Sequence, residues 1–196
     1  MSDESALSRR HFLVGATTVT AAVGAVATAV PFVASFNPSA RARALGAAVS
    51  VDISNIEPGA YLQVLWRGRA IYIVHRSPQM LERLQGENYD LRDPDSEQSE
   101  QPEFAQNEFR SMRPELLVVE GVCTHLGCVP LSRFEVAPAD LGPDWVGGFF
   151  CPCHGSMFDL SGRVFAGVPA PTNLTVPPHS FIDSDTVMIG SDSGNA

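Results

Sequence analysis

Two short motifs stand out in the sequence, CTHLGC at residues 123–128 (box one) and CPCHGS at residues 151–156 (box two). They contain all four cysteines of the chain. Each box offers two thiols and one imidazole, so the pair provides six potential metal ligands. This clustering indicates metal or disulfide chemistry and does not fit scattered core thiols.

The residues alone leave two kinds of site open. A tetrahedral zinc site uses four ligands and would leave two thiols over. In an oxidising compartment a spare pair of thiols would form a disulfide, and two Cys and two His would then remain. Two thiolates and two imidazoles are the ligands of a Rieske 2Fe-2S cluster.

The N-terminal part contains 25 consecutive uncharged residues, 12–36. As a helix this stretch would span roughly 37 Å, enough for a bilayer core of about 30 Å. The apolar region of a signal peptide is normally about 7–15 residues long, so we predict a retained transmembrane anchor at 12–36. Small-residue sites at 40–44 leave cleavage open as the alternative.

The residues just before the anchor, SRRHFL at 8–13, resemble a twin-arginine export signal, which serves proteins that are exported already folded. Arg9 and Arg10 precede the anchor and Arg41 and Arg43 follow it, so charge alone does not orient the helix. The motif does: residues 1–11 are expected in the cytoplasm and everything after residue 36 in the periplasm.

The remainder of the chain predicts a tether followed by an all-β domain. Residues 37–50 have the composition of a flexible tether, helical or extended, and short apolar runs punctuated by Gly and Pro fill residues 51–196. Runs at 61–66 and 70–74 flank a short turn and predict a hairpin. The other predicted strands are Leu116–Glu120, Gly148–Cys151, Val164–Phe165, Leu174–Val176 and Val187–Ile189.

The chain is acidic, with 22 Asp and Glu against 13 basic residues, and its net charge is −9. This balance excludes a nucleic-acid-binding protein, which needs a basic face. Residues 79–108 carry nine of the acidic residues and two Arg. They predict a solvated surface segment with a short helix at 78–84, or a docking surface for a basic partner.

Together the two boxes resemble those of the Rieske iron–sulfur subunit of ubiquinol–cytochrome c reductase, the cytochrome bc complex. The likeness includes the N-terminal anchor, the hairpin with Trp66, the loop GVPAP at 167–171 and the closing strands. It implies an all-β Rieske domain of antiparallel sheets, with a cluster-binding subdomain at about 120–172, plus one N-terminal transmembrane helix.

The resemblance also assigns ligands for one 2Fe-2S cluster. Cys123 and Cys151 would bind the buried iron, and His125 and His154 would bind the exposed iron. With imidazoles in place of two thiolates the site is less negative, so it accepts an electron more readily than an all-Cys site.

Four further residues acquire roles from the same resemblance. Cys128 and Cys153 would form a disulfide between the boxes, Ser156 would donate its hydroxyl to a cluster sulfur, and Leu126 would project at the tip and dock on cytochrome b. At position 158, where many relatives have a Tyr that donates to a cysteine ligand sulfur, this chain has Phe. The resemblance therefore implies a less positive potential than in those relatives.

The implied function is transfer of an electron from ubiquinol to a c-type cytochrome subunit, coupled to proton release, with His154 as the group that meets ubiquinol. The implied partners are cytochrome b, the c-type cytochrome, ubiquinol and membrane lipid, within a dimeric complex of the inner membrane. One alternative is the Rieske small subunit of a periplasmic molybdenum oxidoreductase such as arsenite oxidase. The extra Cys pair and the anchor disfavour a soluble Rieske ferredoxin or a ring-hydroxylating oxygenase.

Overall fold

The computed structural model describes residues 2–86 and 90–191. The chain divides into two compact units, with the boundary between Ala44 and Leu45. The first unit is helical and the second is rich in β-strands, as the sequence predicts.

In the first unit, helix α1 spans Ser2–Ser35 and the short helix α2 begins at Ala40 and ends at Leu45. By length and composition α1 can cross a membrane, and it contains the predicted anchor except for Phe36. The hydroxyl of Thr17 donates to the Leu13 carbonyl oxygen at 2.8 Å. The same bond to the carbonyl four residues earlier is made by Thr18, Thr20 and Thr28.

The second unit contains nine strands and two short helices among its described residues. The strands are β1 (Val49–Asp52), β2 (Tyr61–Trp66), β3 (Arg69–His75), β4 (Leu116–Glu120), β5 (Leu131–Arg133), β6 (Gly148–Cys151), β7 (Ser156–Phe158), β8 (His179–Phe181) and β9 (Thr186–Ile189). Helix α3 spans Pro78–Gly86, and a single 3-10 turn spans Glu103–Ala105.

The strands form three antiparallel sheets of three strands each, in the orders β1-β9-β8, β2-β3-β4 and β5-β6-β7. The all-β prediction is thus confirmed, and so is the hairpin of β2 and β3. Arg67 and Gly68 both have positive φ, 51° and 74°. Positive φ at both central residues is typical of the type I′ turn, whose twist matches that of the strands.

Strand β3 separates two hydrophobic cores. Ile71 and Ile73 pack with the β1-β9-β8 sheet, whereas Tyr72 and Val74 pack on the opposite side with the residues around the two boxes. Successive side chains of a strand point to opposite faces, so a strand buried on both faces is a continuous apolar run. The run AIYIV at residues 70–74 has this property.

Part of the predicted tether is helical, which is one of the two forms expected for it. The Ala42 amide donates a hydrogen bond to Ser39 Oγ at 3.1 Å, so Ser39 caps the N-terminus of α2. The Ala, Arg and Leu residues of α2 also favour a helix. Strand β1 already begins at Val49. Irregular backbone is therefore confined to residues 36–39 and 46–48 of this region.

The acidic segment 79–108 contains the predicted short helix, as α3, and most of its described residues lie at the surface, but a few of them are buried. Met80 and Leu84, spaced one helical turn apart on α3, are both buried in the core beside the boxes. The carboxylate of Asp93 is also buried, and it accepts hydrogen bonds from the Glu97 and Gln98 amides at 2.8 and 3.2 Å.

Candidate metal centre

The two boxes lie in the loops next to the smallest sheet. Box one lies in the connection between β4 and β5, and box two joins β6 to β7. Both fold in the same way: the Gly127 amide donates to the Cys123 carbonyl, and the Gly155 amide to the Cys151 carbonyl, each at 2.9 Å. The two glycines have φ of 82° and 76°, a conformation that side chains disfavour. The glycine in each box is therefore required by its turn.

A disulfide between Cys128 and Cys153 joins the two loops. The Cys123 amide donates to the Cys128 carbonyl at 2.7 Å, so the free cysteine and the bridged cysteine of box one are also tied through the backbone. The sulfurs of Cys128, Cys151 and Cys153 lie within 4.8 Å of one another. Because two of these three belong to the disulfide, Cys151 alone of that group keeps a thiol for a metal.

The free donors of the boxes divide into a buried and an outer pair. Cys123 and Cys151 are free and buried. His154 is exposed and His125 is half-buried, and their rings meet edge to face with centroids 4.8 Å apart. The structure thus pairs the two free cysteines with each other in the interior and the two histidines with each other further out.

The chemistry of these donors fits a metal cluster. His125 Nδ1 is buried, and within the described residues it has no hydrogen-bond partner. An unsatisfied buried nitrogen is costly unless something binds its lone pair, which a metal ion would do. Burial raises the pKa of the Cys151 thiol, and its hydrogen bond with Cys123 raises it further. A bound cation would supply the charge that makes two buried thiolates favourable.

A third loop, residues 167–171, completes the walls of the site. The Ala170 amide in this loop donates to Ser156 Oγ at 3.1 Å, and Ser156 is completely buried. Just beyond the loop, the carbonyl of Thr172 accepts a hydrogen bond from Thr124 Oγ1 at 2.7 Å. The third loop is therefore fixed to both boxes.

The outer surface of the site is apolar. Leu126 is 72% exposed, and Val129 and Leu131 beside it are about half exposed. In contrast, Phe158 is completely buried in the core that also holds Cys123 and Cys151. The structure thus places Leu126 on the surface and Phe158 beneath the boxes.

Sequence reasoning missed a buried ionic network near the end of box two. Asp159 and Arg163 form an ion pair at 2.7 Å, and the Arg76 guanidinium donates to the Leu160 carbonyl and to Ser161 Oγ. Burial lowers the pKa of Arg76 to about 9. The sequence feature that could have indicated this ion pair is the spacing of Asp159 and Arg163, which are four residues apart with Gly162 between them.

The fold and the donor set define an iron–sulfur protein of the Rieske class. The family description "Rieske [2Fe-2S] domain" matches residues 95–178, and "Ubiquitinol-cytochrome C reductase Fe-S subunit TAT signal" matches residues 1–39. The chain belongs to the family of iron–sulfur subunits of ubiquinol–cytochrome c reductase, an oxidoreductase complex, and its Rieske domain is one that binds a 2Fe-2S cluster.

The individual relatives cover nearly the whole chain. The ubiquinol–cytochrome c reductase iron–sulfur subunit of Allochromatium vinosum is 57% identical over 96% of this chain and 91% of its own length. That of Blastochloris viridis is 42% identical over 97% of both chains. Among solved structures, a chain of a hyperthermophilic respiratory Complex III is 25% identical, covers 89% of this chain and 96% of its own, and has a TM-score of 0.47.

Proposed function

We propose that this chain carries electrons from ubiquinol to a c-type cytochrome as part of a membrane-bound cytochrome bc complex. Cys123 and Cys151 bind the inner iron of the cluster, and His125 and His154 bind the outer iron. The observation that supports this assignment most directly is the buried His125 Nδ1, which has no hydrogen-bond partner among the described residues and whose ring contacts a second imidazole, in boxes that also hold two free, buried thiols.

When bound, the 2Fe-2S cluster supplies a one-electron redox couple. The chain sets its character through the ligands, because two neutral imidazoles carry less negative charge than two thiolates and so favour a higher potential. Ser156 would add to this effect: its Oγ accepts the Ala170 amide, which leaves the hydroxyl proton free to be donated to a cluster sulfur, and such a donor stabilises the reduced state.

His154 is the residue that meets ubiquinol. Its ring is exposed, so the ring nitrogen not engaged with the metal is available to the substrate. In the neutral ligand that nitrogen carries a proton. Once it has lost this proton, it could accept a hydrogen bond from a quinol hydroxyl and then hold the quinol's proton, which would couple electron transfer to proton release.

The exposed apolar residues around Leu126 dock on cytochrome b, where ubiquinol is oxidised. Exposed aliphatic side chains grouped beside a reactive group are typical of interaction surfaces. Within this complex, which is a dimer, the chain also has the c-type cytochrome subunit as a partner. Helix α1 lies in contact with lipid. The twin-arginine signal supports a topology with residues 1–11 in the cytoplasm, the Rieske domain in the periplasm and a single span through the inner membrane.

Low-temperature EPR of the dithionite-reduced, full-length protein tests the cofactor, and its purification from membranes tests the complex. We expect a Rieske-type EPR signal and co-isolation with b- and c-type haem. Stoichiometric zinc without an EPR signal would contradict the iron–sulfur assignment. Co-isolation with a molybdopterin subunit instead of haem would favour the arsenite-oxidase type of complex.

A further inference from the structure

Tyr72, in the middle of β3, touches the chain on both sides of box one and the strand that leads into box two, although it belongs to a different sheet. Its side chain is 3% exposed. The Tyr72 hydroxyl donates a hydrogen bond to the Pro130 carbonyl oxygen at 2.7 Å. Its ring stacks on Phe149, with centroids 5.8 Å apart and an angle of 3° between the planes.

The ring also lies against the backbone of Gly121. A Cβ atom placed on Gly121 would be 2.6 Å from two ring carbons of Tyr72, closer than real contacts allow. The Gly121 amide donates to the Ala70 carbonyl at 2.8 Å, which holds this backbone beside β3. Gly121 is thus a glycine because the tyrosine ring occupies the space of its side chain.

These three contacts have related positions in the sequence. Gly121 lies two residues before Cys123, Pro130 lies two residues after Cys128, and Phe149 lies two residues before Cys151. One side chain therefore contacts the backbone before box one, the backbone after box one and the side chain of a residue just before box two.

The hydroxyl is well suited to hold the loop at all ordinary pH values. Burial raises the pKa of Tyr72 to about 12, so the hydroxyl keeps its proton and remains a donor. The Pro130 residue is buried too, and a buried carbonyl that loses its donor is destabilising. Through Cys128 and its disulfide, the position of Pro130 also affects Cys153 in box two.

We infer that Tyr72 is a positioning residue that holds the two ligand-bearing loops in register with each other. This inference rests on the proposed function, because the two loops carry the side chains that are proposed to bind the cluster. A site whose ligands are fixed by surrounding contacts has one geometry, and a loosened support lets several geometries coexist.

The test is Tyr72→Phe in the full-length, cluster-containing protein, which removes the hydroxyl and keeps the ring. We expect hydrogen exchange at the Cys123 and Gly127 amides to become about fivefold faster, the fold-change that corresponds to a buried hydrogen bond of about 1 kcal/mol. We also expect a broader Rieske EPR signal, because the ligand geometry becomes heterogeneous. Exchange in β9, which lies in another sheet, is expected to stay unchanged.

Tyr61→Phe is the matched control. Tyr61 is 45% exposed, and its ring meets the Tyr72 ring edge to face with centroids 5.6 Å apart. Tyr61→Phe therefore also removes one tyrosine hydroxyl from this pair of rings, but the more exposed one. This variant should behave like the wild type. Gly121→Ala, which displaces the Tyr72 ring from the other side, should reproduce the faster exchange and the broader signal if the chain folds.

Wild-type exchange and an unchanged EPR signal in Tyr72→Phe would overturn the inference, and so would an equal loss of protection in β9. A wild-type protein without any Rieske signal would contradict the proposed function itself. The two failures are therefore distinguishable.

Discussion

Phe158 lies two residues beyond Ser156 and is completely buried with the two free cysteines in one core. Phe158→Tyr introduces a hydroxyl at this position. If it reaches a ligand sulfur, it stabilises the reduced state, in which the cluster has gained an electron. A differential hydrogen bond of about 1 kcal/mol corresponds to roughly 40 mV for a one-electron couple. We therefore expect a potential tens of millivolts higher, measured by redox titration.

Ser156→Ala is the complementary change and should lower the potential by a similar amount. It also removes the acceptor of the Ala170 amide, so thermal unfolding must be measured alongside to separate a looser third loop from a changed potential. A constant or lower potential in Phe158→Tyr would show that its ring does not face the cluster.

The four proposed ligands give a second prediction at the residue scale. Single replacement of Cys123, His125, Cys151 or His154 by Ala should abolish the Rieske EPR signal and ubiquinol oxidation, because each donor is needed to complete the coordination. His75→Gln is the control, since the His75 ring contacts the Ile56 carbonyl, away from the boxes. A normal signal in any of the four variants would contradict this ligand set.

At the scale of elements, the disulfide joins a loop after β4 to a loop after β6. Cys128→Ser combined with Cys153→Ser should lower the free energy of unfolding by about 2–4 kcal/mol, because the unfolded chain is no longer cross-linked. Chemical denaturation monitored by circular dichroism measures the change, and loss of the visible absorption of the cluster should occur at lower denaturant than in the wild type. Equal denaturation midpoints would indicate that the bridge contributes no stability.

The elements predicted from the sequence were those whose patterns are local. The hairpin of β2 and β3, strand β4 and strand β6 appear where the apolar runs and turn residues indicated. The run 174–176 has the same composition but is not a strand. The amides of Leu174 and Val176 donate to Gly162 and Glu100 in two separate loops, so no continuous ladder forms.

The same distinction applies to the site. The six Cys and His residues are recognisable because their spacing within each box is fixed by the turn that they form. Tyr72 could not be recognised in this way, because its partner Pro130 is 58 residues away and a tyrosine in an apolar run looks like any core residue. Similarly, the burial of Asp93 depends on contacts that no local charge count reveals.

At the scale of the whole molecule, the first residues of the second unit are expected to control turnover. Under the proposed function the cluster exchanges electrons with both a quinol site and a c-type haem, and we expect this to require a change of position, for which residues 46–48 offer irregular backbone. Ala47→Pro combined with Ala48→Pro fixes φ at both positions and should slow ubiquinol–cytochrome c turnover severalfold at an unchanged potential.

The control for this prediction is Ala47→Ser combined with Ala48→Ser, which keeps the backbone free. The Ala47 carbonyl, which accepts the Trp66 indole N–H at 3.0 Å, is retained in both double variants. Wild-type turnover in the proline variant would locate the hinge elsewhere in the chain.

The threonines of α1 have a consequence for how the subunit enters the bilayer. Each of the four threonine hydroxyls donates its proton to a carbonyl oxygen of the same helix, so none of them needs another acceptor in the hydrocarbon. A helix whose polar side chains form hydrogen bonds within the helix can move from the export machinery into lipid before any neighbouring subunit is present. Insertion of the anchor and assembly of the complex can therefore be separate events in time.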